Sequence, residues 1–204
     1  MKTLISAVAF VLVLYATANA QTEKGRWTAG AQVGNFTYQN SNNNKTFNGS
    51  FTPLAGYFVA DGLAVGIGVP INYRTSSNGL SSSSTTSIGG SPFVTYFFGP
   101  AKLKPFVGFR YGYSRTAFRS DLSTSVSVIF EQNSNGHTNS YVPSLGLAYF
   151  LNRNAALTLS ANYFIIRLKQ TYTTADASGV RTGSSTTDDK YLSLNVGFQL
   201  FFGR

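Results

Sequence analysis

Leu192-Ser193-Leu194-Asn195-Val196-Gly197-Phe198-Gln199-Leu200-Phe201-Phe202 puts Leu192, Leu194, Val196, Phe198, Leu200 and Phe202 on one side of an extended chain and Ser193, Asn195, Gly197 and Gln199 on the other. A period of two belongs to a β-strand, whose successive side chains point to opposite faces. A soluble antiparallel sheet also alternates, but its wet face carries Lys, Glu and Thr. Here the second face is small and uncharged, as a narrow barrel lumen requires.

The same alternation runs upstream. Leu63, Val65, Ile67, Val69, Ile71 and Tyr73 alternate with Ala64, Gly66, Gly68, Pro70 and Asn72. Val107, Phe109, Tyr111 and Tyr113 alternate with Gly108, Arg110, Gly112 and Ser114; Leu145, Leu147 and Tyr149 with Ser144, Gly146 and Ala148; Leu157, Leu159, Ala161, Tyr163 and Ile165 with Thr158, Ser160 and Asn162. The pattern predicts eight strands at 27–38, 50–59, 63–75, 87–98, 104–118, 138–150, 155–171 and 187–202. Pro70 and Pro92 remove ladder donors and mark bulges or irregular pairing.

Connection length carries the topology. Ala60-Asp61-Gly62, Gly99-Pro100-Ala101-Lys102-Leu103 and Leu151-Asn152-Arg153-Asn154 are short, whereas 39–49, 76–86, 119–137 and 172–186 are long and polar. Short turns on one side and long loops on the other are the outer-membrane arrangement, with the short turns in the periplasm. The expected fold is all-β: a closed eight-stranded antiparallel up-and-down transmembrane β-barrel with both termini periplasmic. Within the third long connection, Thr124 to Phe130 alternates imperfectly and Asn135-Gly136 offers a type I′ turn. This suggests that the fifth and sixth strands protrude as a hairpin. Ser76 to Ser87, with Ser81-Ser82-Ser83-Ser84, reads as a flexible loop.

Residues 1–20 read as a cleaved leader. Lys2 gives the positive start, Leu4 to Ala16 the apolar run, and Ala18-Asn19-Ala20 the cleavage pattern. The run is shorter than the roughly 20 apolar residues of a spanning helix. Residues 21–204 then form one barrel domain. There is no cysteine, so disulfides, thiolate metal sites and a cysteine nucleophile are excluded. The net charge of +9 is scattered along an exported chain, which favours anionic lipid headgroups over nucleic acid as a partner. Only 11% of residues are charged, against about a quarter in soluble domains.

At Gly56-Tyr57-Phe58-Val59-Ala60-Asp61-Gly62-Leu63-Ala64-Val65-Gly66 the chain resembles the porin-family outer-membrane β-barrel domain. Ser91-Pro92-Phe93-Val94-Thr95-Tyr96-Phe97-Phe98 and Pro105-Phe106-Val107-Gly108 resemble that family's next hairpin. The resemblance implies a location more than an activity. The C-terminal strand, through Phe198, Leu200 and Phe202, also resembles the signal read by barrel-assembly machinery, although Gly203 and Arg204 follow the final aromatic.

Strand parity assigns Gly30, Gly34, Gly68, Arg110, Ser144, Asn162, Asn195 and Gln199 to a mostly filled lumen. Arg110 there is a polar plug or, alternatively, a selectivity charge in a narrow channel. Arg115, Arg167 and Lys169 have outward parity beyond the 9–11 residues that cross a bilayer. They are expected to meet lipopolysaccharide phosphates, with Tyr113 and Tyr163 in the aromatic girdle below. His137, the sole histidine, with Glu131 and nearby serines, gives a remote alternative reading as a lipid-modifying rim enzyme. Placed at an exposed hairpin tip by Asn135-Gly136, it lacks a fixed orienting partner, and no catalytic role is expected. Asp188-Asp189 reads as solvated loop or rim. Asp121, Glu131 and Asp176 lack calcium-loop spacing, and neither a metal site nor a cofactor is expected. The leading functional reading is a structural or surface-interaction barrel, with a narrow passive channel as the alternative.

Overall fold

The computed structural model describes residues 21–203 apart from 42–43, 79–80, 123–129 and 177–178. The leader at 1–20 and the alternation read into 124–129 lie outside the described residues. Nine strand segments are present among them: β1 (Trp27–Ser41), β2 (Asn44–Ala60), β3 (Leu63–Gly68), β4 (Ile71–Ser77), β5 (Ser81–Phe97), β6 (Leu103–Leu122), β7 (Phe130–Asn152), β8 (Ala155–Asp176) and β9 (Gly179–Phe202). Every pairing is antiparallel, and β1 pairs with both β2 and β9, which closes the ring. β3 and β4 are two halves of one stave, both lying between β2 and β5, so the barrel has eight staves.

Proline explains the irregularities expected at Pro70 and Pro92. Val69-Pro70 separates β3 from β4, yet Leu54↔Gly68 and Phe51↔Ile71 keep one register across the gap. At Pro92 the β5–β6 pairing lapses between Gly90↔Tyr113 and Phe93↔Arg110, again without a shift. A true bulge occurs in β1, where register slips between Gly34 and Thr37 and Asn35 takes a left-handed φ of 55°.

The molecule is apolar outside and polar inside. Trp27, Ile67, Leu145, Leu159, Leu192 and Leu194 are exposed, whereas Thr28, Thr52, Ser160, Asn162, Ser193 and Asn195 are buried. Water would penalise such a surface, and lipid would not. Outward apolar residues run from Leu157 to Ile165 on β8, nine residues, which matches the 9–11 of a tilted crossing.

The polar connections at the far end are mostly strand. β1 and β2 pair up to Ser41↔Asn44, β4 and β5 from Ser77↔Ser82, and β8 and β9 up to Asp176↔Gly179. Three expectations are corrected here. Ser81 to Ser87 is not a loop, because it pairs with β4 and, as far as Leu122, with β6. Hydroxyls add to this pairing: Thr75 Oγ1 donates to the Ser83 carbonyl (3.3 Å) and Ser83 Oγ to the Ser76 carbonyl (3.4 Å). Asn135-Gly136 is not a turn but mid-strand in β7, opposite Ala117 and Thr116. His137 is therefore not at a hairpin tip. The protrusion of β6 and β7 past the apolar band does hold, with pairing up to Leu122↔Phe130.

Candidate functional site

Two regions concentrate chemistry: the lumen and the outer end of the wall. At the short-turn end the lumen is filled by Phe58, Phe97, Phe106, Phe150 and Phe201, all buried, in one cluster with Ala64, Ala148 and Ala156. Ring centroids of Phe58–Phe97, Phe97–Phe106, Phe58–Phe201 and Phe150–Phe201 lie 5.0–6.0 Å apart in tilted pairs, within the spacing of favourable aromatic contacts. The segment Gln21–Arg26 is tied to this floor: the Gly62 amide donates to the Thr22 carbonyl (2.7 Å), the Gly25 amide to the Phe58 carbonyl (2.9 Å) and Lys104 Nζ to Thr22 Oγ1 (3.3 Å).

Arg26 fastens the floor. Its guanidinium donates to the carbonyls of Gln21 (3.0 Å), Arg153 (3.0 Å), Phe201 (3.2 Å) and Gly203 (3.2 Å) and to Asn154 Oδ1 (3.0 Å). One side chain thereby joins the start of the barrel, the β7–β8 turn and the end of β9. Burial, and after it the nearby charge of Arg153, lowers its pKa from the usual guanidinium value.

Above the floor the lumen is polar. Arg110 Nη2 donates to Gln32 Oε1 (2.7 Å), and these two with Ser144, Ser160, Asn162 and Gln199 border a cavity of about 30 Å³, the size of a water molecule or two. Gly68 packs against Thr52, Gly30 against Gln199, and Gly34 against the side chain of Asn195. Asn195 Oδ1 accepts from Ser193 Oγ at 2.8 Å. Phe198, Leu200 and Phe202 point outward on β9, opposite Ala31, Ala29 and Trp27 of β1. Sequence reasoning missed Gln32, Arg26 and the phenylalanine floor. Gln32 lies between Gly30 and Gly34 on the same parity, a signal that was available. The five phenylalanines also sit on inward parity, where alternation alone predicts polar residues.

At the outer end, exposed Tyr113, Tyr141 and Tyr163 lie at or next to the ends of the apolar bands of β6, β7 and β8. Beyond them Arg115 of β6 stands directly opposite His137 of β7, which stands directly opposite Lys169 of β8. The Tyr113 ring stacks on His137 with centroids 6.0 Å apart and planes at 30°. Arg167 is engaged elsewhere: Nε and Nη2 donate to Asp188 Oδ1 (2.8 Å) and Oδ2 (3.1 Å), the one ion pair among the described residues. That hydrogen bond holds the Asp188 carboxyl below its usual range. Glu131 is not brought to His137: both lie on β7, six residues and about 20 Å apart along the strand. No metal-binding cluster of His and acidic residues occurs among the described residues.

The outer membrane protein beta-barrel domain family matches residues 6–202. No curated protein matches the chain. Among solved structures, a major outer membrane protein from Thermus thermophilus is similar, at 16% identity and a TM-score of 0.58, over 87% of this chain and 99% of that one. The outer membrane protein OprG from Pseudomonas aeruginosa is similar at 17% identity and a TM-score of 0.54, over 91% of this chain and 99% of that one. At such identities the likeness is one of fold. A lipid-facing apolar wall, a closed eight-stave ring and a family match over nearly the whole length lead to one assignment: the chain belongs to the outer membrane protein beta-barrel domain family and is an integral barrel of the outer membrane.

Proposed function

We propose that this protein is a structural and surface-interaction barrel with a sealed lumen. In this reading its short turns and both termini face the periplasm, and its long hairpins and cationic rim face the lipopolysaccharide leaflet. The single observation that supports it best is the floor. Five buried phenylalanines and the Gln21–Arg26 segment occupy the short-turn end, and the cavity beside Arg110 is about 30 Å³. A solute path needs a continuous wet lumen, so this filling disfavours the narrow-channel alternative. Arg110 then acts as a polar plug, with Nη2 hydrogen-bonded to the Gln32 amide oxygen across the lumen.

The aromatic girdle and the cations beyond it support contact with lipid phosphates. The outward face of β9 is the surface that the assembly machinery would read during insertion. Purified barrel reconstituted in planar bilayers should give no reproducible nanosiemens steps. Such steps, persisting after repurification, would overturn the sealed-lumen reading and promote the channel.

A further inference from the structure

Strand register places two cations and the sole histidine side by side on the outer face, with no acid among them. The row reads Ile71, Ile88, Arg115, His137, Lys169, Thr186 across β4 to β9. Arg115 and Lys169 flank His137 on the two strands beside it, and with strands about 4.8 Å apart the two cations stand roughly 10 Å from each other with the imidazole between them. The neighbouring row, nearer the bilayer, resolves its charge internally, because Arg167 meets Asp188 and Asn139 and Tyr113 are neutral. The row on the far side holds Thr86, Ala117, Asn135, Thr171 and Ser184, none of them charged. Arg115, His137 and Lys169 therefore converge without a carboxylate.

We infer that the Arg115–His137–Lys169 row is a binding site for a phosphomonoester, the phosphate of a lipopolysaccharide headgroup. This deepens the lipopolysaccharide reading above and rests on it. An anion seated on the row bridges two cations that meet no carboxylate there, accepting charge-assisted hydrogen bonds from guanidinium and ammonium. The site has shape as well as charge. A groove of about 610 Å³ runs beside it, lined by Thr86, Ile88, Tyr113, Arg115, Thr116 and His137, with room for the sugar that carries the phosphate. The height fits too. Arg115 and Lys169 are the outward residues two and four beyond Tyr113 and Ile165, where the apolar band ends. Tyr113, stacked on His137, holds the imidazole beside the groove that both residues line.

The test compares wild type with Arg115→Gln/Lys169→Gln, His137→Gln and Arg167→Gln/Asp188→Asn, each confirmed as a folded barrel by heat-modifiable gel mobility. Binding in detergent micelles is titrated with lipopolysaccharide, with dephosphorylated lipopolysaccharide and with inorganic phosphate. For lipopolysaccharide, Arg115→Gln/Lys169→Gln should bind about tenfold more weakly or worse and His137→Gln by a smaller factor, while Arg167→Gln/Asp188→Asn, which removes a self-neutralised pair, should match wild type. Dephosphorylated lipopolysaccharide should bind wild type and Arg115→Gln/Lys169→Gln alike. Equal lipopolysaccharide affinity in wild type and Arg115→Gln/Lys169→Gln would overturn the site while leaving the rim reading in place. Absence of lipopolysaccharide binding by wild type would remove both. Inorganic phosphate binding as tightly as lipopolysaccharide would overturn the headgroup as source and make free phosphate the ligand.

Discussion

Arg26 concentrates more hydrogen bonds than any luminal charge described above, and its partners are mostly backbone carbonyls. Replacing it by Met keeps bulk and removes the donors, so the carbonyls of Gln21, Arg153 and Phe201 lose their charged partner in a largely buried setting. The expected loss is about 3 kcal/mol, the range for stripping a buried charged network of one member. Urea unfolding of the refolded barrel in lipid vesicles measures it. The Arg167–Asp188 pair should behave oppositely, since both side chains are more than half exposed. Asp188 titrates lower in the folded barrel than in the unfolded chain. Any stability from the pair is therefore present above the unfolded carboxylate range and lost as pH falls through the lower folded value. Asp188→Asn should lower the neutral-pH unfolding midpoint only slightly, and the difference from wild type should vanish as pH falls through the folded carboxylate value.

Among elements, the split stave invites a direct test. The Gly89 amide donates to the Pro70 carbonyl (3.2 Å), and in an antiparallel pair of this kind the two residues exchange both bonds, but proline has no N–H to return. Because register is constant across the break, Pro70→Ala should fuse β3 and β4 without rearrangement. Amide exchange at Gly89 and Ile71 should slow, and the unfolding midpoint should hold or rise. A drop of the midpoint would mean that the break serves the fold. Strand period and the short turns were legible because each depends on local parity and on Gly62 and Gly99, whose positive φ of 76° marks the turns. Asn135-Gly136 misled because its turn preference is local, while its fate is decided by strands on both sides. A Cβ at Gly136 would come within 2.8 Å of the Lys169 carbonyl, so glycine there permits close strand approach rather than a reversal. The serine run misled for a related reason: composition suggests flexibility, but backbone pairing with β4 on one side and β6 on the other orders it, with hydroxyl bonds to β4 added.

For the molecule as a whole, closure followed from counting staves and the apolar exterior from strand parity, whereas the floor did not. Inward phenylalanines at 58, 97, 106, 150 and 201 are scattered through the chain and meet only once the ring closes. Phe150→Ala/Phe201→Ala should remove the sealing contact of two rings 5.0 Å apart. It should cost about 3–5 kcal/mol per ring, discounted for collapse of the floor, and should raise proteolytic access to Gln21–Arg26 in detergent. The rim row was half legible: parity found Arg115 and Lys169, but only register across three strands brought His137 between them and gave Arg167 to Asp188.

Arg26 also holds the Gly203 carbonyl at 3.2 Å, so the two ends of the barrel chain meet at one point on the short-turn rim. Topologically the wall is then a ring with an arbitrary nick. A circular permutant, with Gly203 linked to Gln21 through a short glycine-rich bridge and new termini opened between Ser41 and Asn44, should assemble the same stave order with the same floor. Its new ends would emerge at the opposite rim, where an epitope tag would become accessible on intact cells if the hairpin end faces outward.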